Sequence, residues 1–268
     1  MKKLFSVLLC GLLAALCVAP AAAADVPYAT ATNGTPVVDG QIDDVWAIAE
    51  TFSASHLKDG TEEGITNEWK ALWDEENVYL LIEVKGDTKH FFNGSQSWGD
   101  GCEIYFDTMN NDPADYTTDD GVIQIGWDAE TPDDNSFKGT EAALANITGT
   151  YNIVAVENDD GYLYEISVAL ADFCEDFTFA EGAVVGFDIQ VNSKSDESES
   201  RTSAYGWADK DNTGWQYPYV FGDLELIAAP VVETVVEEAA APQTFDMGVI
   251  AAAAAALSAA GYVISKKR

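Results

Sequence analysis

The chain has 268 residues and a formal net charge of −33, with 46 acidic side chains against 13 basic ones. That balance excludes nucleic acid and anionic lipid as natural partners, because their phosphates call for a surplus of Lys and Arg. Only two histidines are present, so a His-based catalytic centre has few members to draw on.

Residues 1–24 read as an export signal. Lys2 and Lys3 precede an apolar run from Leu4 to Val18, and Ala22-Ala23-Ala24 offers a small-residue cleavage site before Asp25. From residue 25 to 229 the pattern is that of one domain, about 200 residues long. Gln41 to Glu50 and Ala169 to Glu175 are short enough, and apolar enough on one side, for single helical turns. The remainder alternates with period 2. Val78, Leu80, Ile82 and Val84 form one such set, and Cys102, Ile104 and Phe106 another, opposite Glu103, Tyr105 and Asp107. Ile123, Ile125 and Trp127 follow, then Tyr162 to Leu170, then Val185, Phe187, Ile189 and Val191, and last Val220 to Leu226. Lys85-Gly86-Asp87, Asp119-Asp120-Gly121 and Asp159-Asp160-Gly161 supply turns between them. Many short alternating strands divided by turns predict an all-β fold, an antiparallel β-sandwich of jelly-roll type.

The tryptophans sort by their neighbours. Trp46, Trp69 and Trp73 sit in apolar or alternating runs and belong to the core; Trp127 and Trp207 fall in neither class. Trp98 and Trp215 each lie in a polar loop beside glycine. An aromatic plate covers the apolar C–H face of a pyranose, and a nearby carboxylate or amide binds its hydroxyls. If the two loops share one end of the sandwich, Trp98 and Trp215 face each other across a slot one sugar wide. Glu103, Gln124 and Asn212 then supply the hydrogen bonds. The carboxylates from Asp107 through Asp120 form a candidate calcium site, since calcium takes oxygen ligands. Cys10 and Cys17 leave with the export signal, so Cys102 and Cys174 remain as the one pair able to bridge in an oxidising compartment.

Residues 230–241 read as a spacer. Residues 242–268 hold Pro242, Gln243 and Thr244, then an apolar run from Met247 to Ser265, then Lys266-Lys267-Arg268. An apolar stretch of about 19 residues spans a bilayer, and the basic tail stays on the inner side. This order resembles the cell-wall sorting signal of Gram-positive surface proteins. The resemblance implies cleavage by a sortase after Thr244 and attachment to the cell wall, with the membrane crossed at least transiently. Ala241 stands where that family has leucine and Phe245 where it has glycine. A plain C-terminal membrane anchor is the other reading, and in both the domain faces outward.

Val38-Asp39-Gly40-Gln41-Ile42-Asp43-Asp44-Val45-Trp46 resembles the D-G-x-x-D-x-x-W opening of the family 9 carbohydrate-binding modules. Ala71 to Leu80, Asp100 to Asp107, Gly186 to Asn192 and Trp215-Gln216-Tyr217-Pro218 with Phe221-Gly222 match further signatures of that family, in the same order. The resemblance implies a β-sandwich that clamps the end of a glycan of cellulose or xylan type between two tryptophans, here Trp98 and Trp215. Glu103, Gln124 and Asn212 would be the polar contacts. It also implies calcium in some members and an arginine contact in others. Apart from Arg268, the chain has only Arg201, and no motif places it in the slot.

The carboxylate pair of a glycosidase can always be found among 46 acidic residues, so it carries no signal. No G-x-S-x-G, H-E-x-x-H, P-loop or C-x-x-C motif is present, and the domain reads as a binding module without catalysis. Two rival readings follow from related sandwiches. One is a haem-binding electron-transfer domain, for which His56, His90 and Met109 are the candidate ligands. The other is a structural or adhesive surface protein whose slot no longer binds sugar.

Overall fold

The computed structural model describes residues 26–89, 91, 99–127, 151–196 and 201–230. The export signal, the spacer after Pro230 and the sorting segment therefore lie outside the described residues, and so do Trp98 and His90. Among the described residues no helix is long and apolar enough to cross a membrane.

Eleven strands build the fold: β1 (Tyr28–Asn33), β2 (His56–Gly60), β3 (Thr66–Trp73), β4 (Val78–Lys85), β5 (Gly101–Asp107), β6 (Asp120–Gly126), β7 (Tyr151–Asn158), β8 (Gly161–Val168), β9 (Val184–Ser193), β10 (Ser203–Gly206) and β11 (Gly222–Ile227). One layer runs β6-β5-β9-β10-β2, and the other runs β11-β1-β3-β4-β8-β7. Strand β9 joins them: Val184 to Phe187 pair with β11, while Gln190 to Ser193 pair with β10 along the same edge. The pairings are antiparallel except at β1, which lies parallel to both β11 and β3. The two helical turns fall where expected, as a 3-10 turn over Asp44–Ile48 and one helical turn over Leu170–Phe173.

Alternation decides which side chains fill the space between the layers. Ile104 and Phe106, Ile123 and Ile125, Phe187 and Ile189 meet Leu80, Ile82, Tyr164 and Ile166 there. Trp69 and Trp73 join this core, and the partly buried Trp127 and Trp207 pack against it. The outer face of the second layer carries a smaller cluster of Leu72, Tyr79, Leu81 and Leu163, covered by Trp46. Glu165 shares this face. Its carboxylate accepts from the Asp39 and Gly40 amides at 3.0 and 2.7 Å and from the Trp46 indole at 3.0 Å. The D-G-x-x-D-x-x-W motif thus clasps one buried glutamate.

Cys102 and Cys174, the pair able to bridge, do not: both thiols are free and buried. Cys102 points from β5 into the apolar core, where burial pushes its thiol well above the usual range.

Candidate functional site

The outer face of the first layer is polar where its inner face is apolar. Register aligns Gln124 of β6, Glu103 of β5 and Gln190 of β9 in one row. The next row holds Gly126, Gly101 and Asn192, and the row on the other side holds Val122, Tyr105 and Asp188. Two glycines in one row place no side chains beside Asn192.

Glu103 is the centre of this floor and is 2% exposed. It accepts hydrogen bonds from Gln190 Nε2 and Asn192 Nδ2, both at 2.8 Å, from Gln124 Nε2 at 3.2 Å and from the Tyr105 hydroxyl at 2.7 Å. Arg201 Nη1 stands 3.6 Å away. A buried carboxylate persists only with such partners. Arg201 also donates to Asn192 Oδ1 at 3.2 Å, to Asp59 Oδ2 at 3.3 Å and to Asn212 Oδ1 at 3.4 Å. Burial, reinforced by the Glu103 charge, lifts the Tyr105 hydroxyl well above its ordinary range, so it stays a donor at any working pH.

The wall beside this floor is the loop from Trp207 to Gln216. Asp209 organises it: its carboxylate accepts from the Asp211, Thr213 and Gly214 amides at 3.0, 2.8 and 2.7 Å. Burial works to raise its pKa, but the Lys58 ammonium and these donors outweigh that and hold it below the usual carboxylate range. Asn212 takes a positive φ of 55°, a conformation asparagine tolerates better than most residues. Trp215 then projects with 45% of its surface exposed, its indole N–H donating to the Asn212 carbonyl at 3.0 Å. An exposed tryptophan tethered by its N–H presents a fixed apolar face to solvent.

The structure therefore brings four of the expected residues together. Glu103 and Gln124 touch directly, Asn212 joins them through Arg201, and Trp215 follows through Asn212. Trp98 lies outside the described residues; Gly99 and Asp100 after it are buried just before β5. Arg201 corrects the expectation from sequence, because it sits among the site residues. Gln190 and Asn192 were also missed as members. Their signal was present in the alternation of β9, which turns Asp188, Gln190 and Asn192 away from the core together.

The acidic stretch after β5 also gathers. One oxygen from each of Asp107, Asp119 and Asp120 lies within 4.8 Å of the others. Asp120 is buried, and its Oδ1 has no hydrogen-bond partner among the described residues. Burial pushes its carboxyl up to about 7. Three carboxylates with a spare buried oxygen fit a hard cation such as calcium. A cavity of about 680 Å³ lies beside Asp119, lined also by Met109, Asp172 and Cys174. Of the candidate haem ligands, Met109 faces this acidic cavity and His56 is exposed on β2.

Comparison with known proteins matches residues 38–229 to the family described as carbohydrate family 9 binding domain-like. Endo-1,4-beta-xylanase A of Thermotoga neapolitana is 32% identical over 203 residues, and exoglucanase XynX of Acetivibrio thermocellus 30% over 202. The matches cover 75% of this chain but only 18% and 17% of those proteins. Two solved structures of a carbohydrate-binding module family 9 from Caldicellulosiruptor kristjanssonii, with glucose and with cellotriose, superpose with a TM-score of 0.63 each. They share 25% and 26% identity, over 76% and 78% of this chain and 97% of theirs.

Proposed function

The chain belongs to the family 9 carbohydrate-binding domains, and from that premise we propose that it grips the end of a cellulose- or xylan-type oligosaccharide and does no chemistry on it. The observation that carries this reading is the floor around Glu103, ringed by Arg201, Gln124, Gln190 and Asn192 beside the exposed Trp215. Trp215 stacks on one face of the terminal sugar and Trp98 on the other. Hydroxyls of that sugar take hydrogen bonds from Arg201, Gln124, Asn192 and Asn212 and give them to Glu103. Charge-assisted bonds in a half-dry slot are stronger than bonds in water, which suits recognition of a small, neutral, strongly hydrated ligand. The similar modules solved with glucose and cellotriose support this ligand class. Calcium at Asp107, Asp119 and Asp120 would brace the turn after β5 without touching sugar.

The export signal over residues 1–24 and the sorting segment with Pro242, Gln243 and Thr244 carry the domain to the cell surface. Mass spectrometry of the mature protein tests this, since a chain beginning at Asp25 and ending at Thr244 is expected. An intact C-terminus at Arg268 would support a retained membrane anchor instead.

The solved modules are covered over 97% of their length by this stretch, so residues 25–229 are the unit to test. Calorimetric titration with cellobiose, xylobiose and their borohydride-reduced forms, with and without calcium, is expected to show binding with a change in Trp fluorescence. Loss on reduction identifies the reducing end as the part gripped. Silence across the panel and a broad glycan array overturns the function and leaves the fold.

A further inference from the structure

We propose that Lys58 is the positioning residue of the slot, locking the loop that carries Trp215 to the floor that carries Glu103. This deepens the sugar-binding reading above and rests on it. Lys58 lies at an irregularity in the β2–β10 pairing. Leu57 faces Tyr205 and Asp59 faces Ala204, so the register passes over Lys58. An extra residue in a strand re-aims its side chain, and here it lies against Asp188 and Tyr105 on the outer face of the layer, its side chain 1% exposed. Gly206 makes room for it: a Cβ there would stand 2.3 Å from Lys58 Cδ.

The ammonium reaches three separate parts of the site. It pairs with Asp209 Oδ2 at 2.9 Å, and Asp209 holds the amides of the turn that presents Asn212 and Trp215. It lies 3.8 Å from Asp188 Oδ2, and Asp188 holds the Ala208 and Asp209 amides at the root of the same loop. It also stands 5.8 Å from the Tyr105 ring centroid, and the Tyr105 hydroxyl donates to Glu103. One buried cation is thus the shared partner of the wall and of the floor. Two carboxylates face it from β9 and the loop. Burial pushes Asp188 up to about 6 despite the opposing Lys58 charge. Without the ammonium the two acids would repel, and the loop they hold would shift.

The test compares residues 25–229 with Lys58→Met and with a control, Leu81→Val, which loosens the cluster on the far face of the other layer. Each is titrated with cellotriose, and the Trp215 indole N–H resonance is followed by NMR, assigned by its disappearance in Trp215→Phe. Lys58→Met is expected to weaken binding at least tenfold and to move or broaden the Trp215 resonance, while the Trp46 and Trp73 indoles stay in place. The control is expected to lower the melting temperature and change neither readout. Binding within twofold of the parent, or an unmoved Trp215 resonance, overturns the proposal. If Lys58→Met does not fold, Asp209→Asn is read the same way, since its amide oxygen still accepts from Thr213 and Gly214. On the parent chain, saturating cellotriose is expected to shift the Lys58 ammonium resonance, and no shift counts against the proposal. A parent that binds no cellotriose refutes the function, while the Trp215 resonance still decides the positioning.

Discussion

Glu103 and Glu165 sit in mirror-image situations. Each lies mid-strand on the outward face of its layer, each is nearly fully buried, and each is an acid in an alternating run. Their partners differ in kind. Glu165 is held by two backbone amides and an indole from one continuous segment, Asp39 to Trp46, which closes over it as part of the protein. Glu103 is held by side chains from β5, β6 and β9 with Arg201 beside it, several of which carry further donors or acceptors. The first arrangement uses up its carboxylate to fasten a turn. The second ties three strands together through side chains and connects through Arg201 and Asn212 to the exposed Trp215. What covers a buried charge, more than the burial itself, separates a carboxylate that fastens one turn from one shared among several strands.

The largest effect should come from breaking the structural clasp. Glu165→Ala strands two amides and the Trp46 indole, and should cost about 3 kcal/mol, a fall of about 6–12 °C in melting temperature. Affinity of the folded protein for cellotriose should not change; thermal melts paired with titration check both. Trp215→Ala should do the reverse, weakening cellotriose by about a hundredfold, near 2.7 kcal/mol, with little loss of stability. A large drop in melting temperature would return Trp215 to the core. Glu103→Gln removes the charge and turns one accepting oxygen, which takes two of these bonds, into an amide donor, so a loss of about tenfold, near 1.4 kcal/mol, is expected in the same titration.

Two buried aspartates, Asp100 before β5 and Asp188 on β9, make stability depend on pH. Burial, with Asp87 close by, pushes Asp100 up to about 8, and burial likewise lifts Asp188 to about 6. Unfolded aspartate titrates near 3.9, so between about pH 4 and 8 the native state binds more protons than the unfolded one. Stability must then fall as pH rises through that window. The melting temperature in calcium-free buffer should fall steadily from pH 5 to pH 8. A rise over that range would mean that these acids are better paired than their burial indicates.

Much of this was legible in the chain. Period-2 alternation revealed β4, β5, β6, β8, β9 and β11 and put Glu103 opposite the core, because an apolar layer on one face imposes that pattern. Polar, glycine-flanked surroundings marked Trp215 as exposed. The strands that escaped were β1, β2, β3, β7 and β10. His56–Gly60 is too polar to show a buried face, and Tyr151–Asn158 is an edge strand only half buried. Losing β2 hid Lys58, and losing β10 hid the neighbourhood of Arg201. Both cations enter the site through pairing between strands distant in sequence, which no local pattern encodes. The absence of a Cys102–Cys174 bridge was hidden likewise, since count and compartment say nothing of where two thiols point.

The most direct test of the account is the crystal structure of residues 25–229 with cellotriose. It should place a terminal sugar ring flat against Trp215, with ring hydroxyls within hydrogen-bonding distance of Glu103 and Arg201. A ring bound at any other surface, with the Glu103 floor untouched, would contradict it.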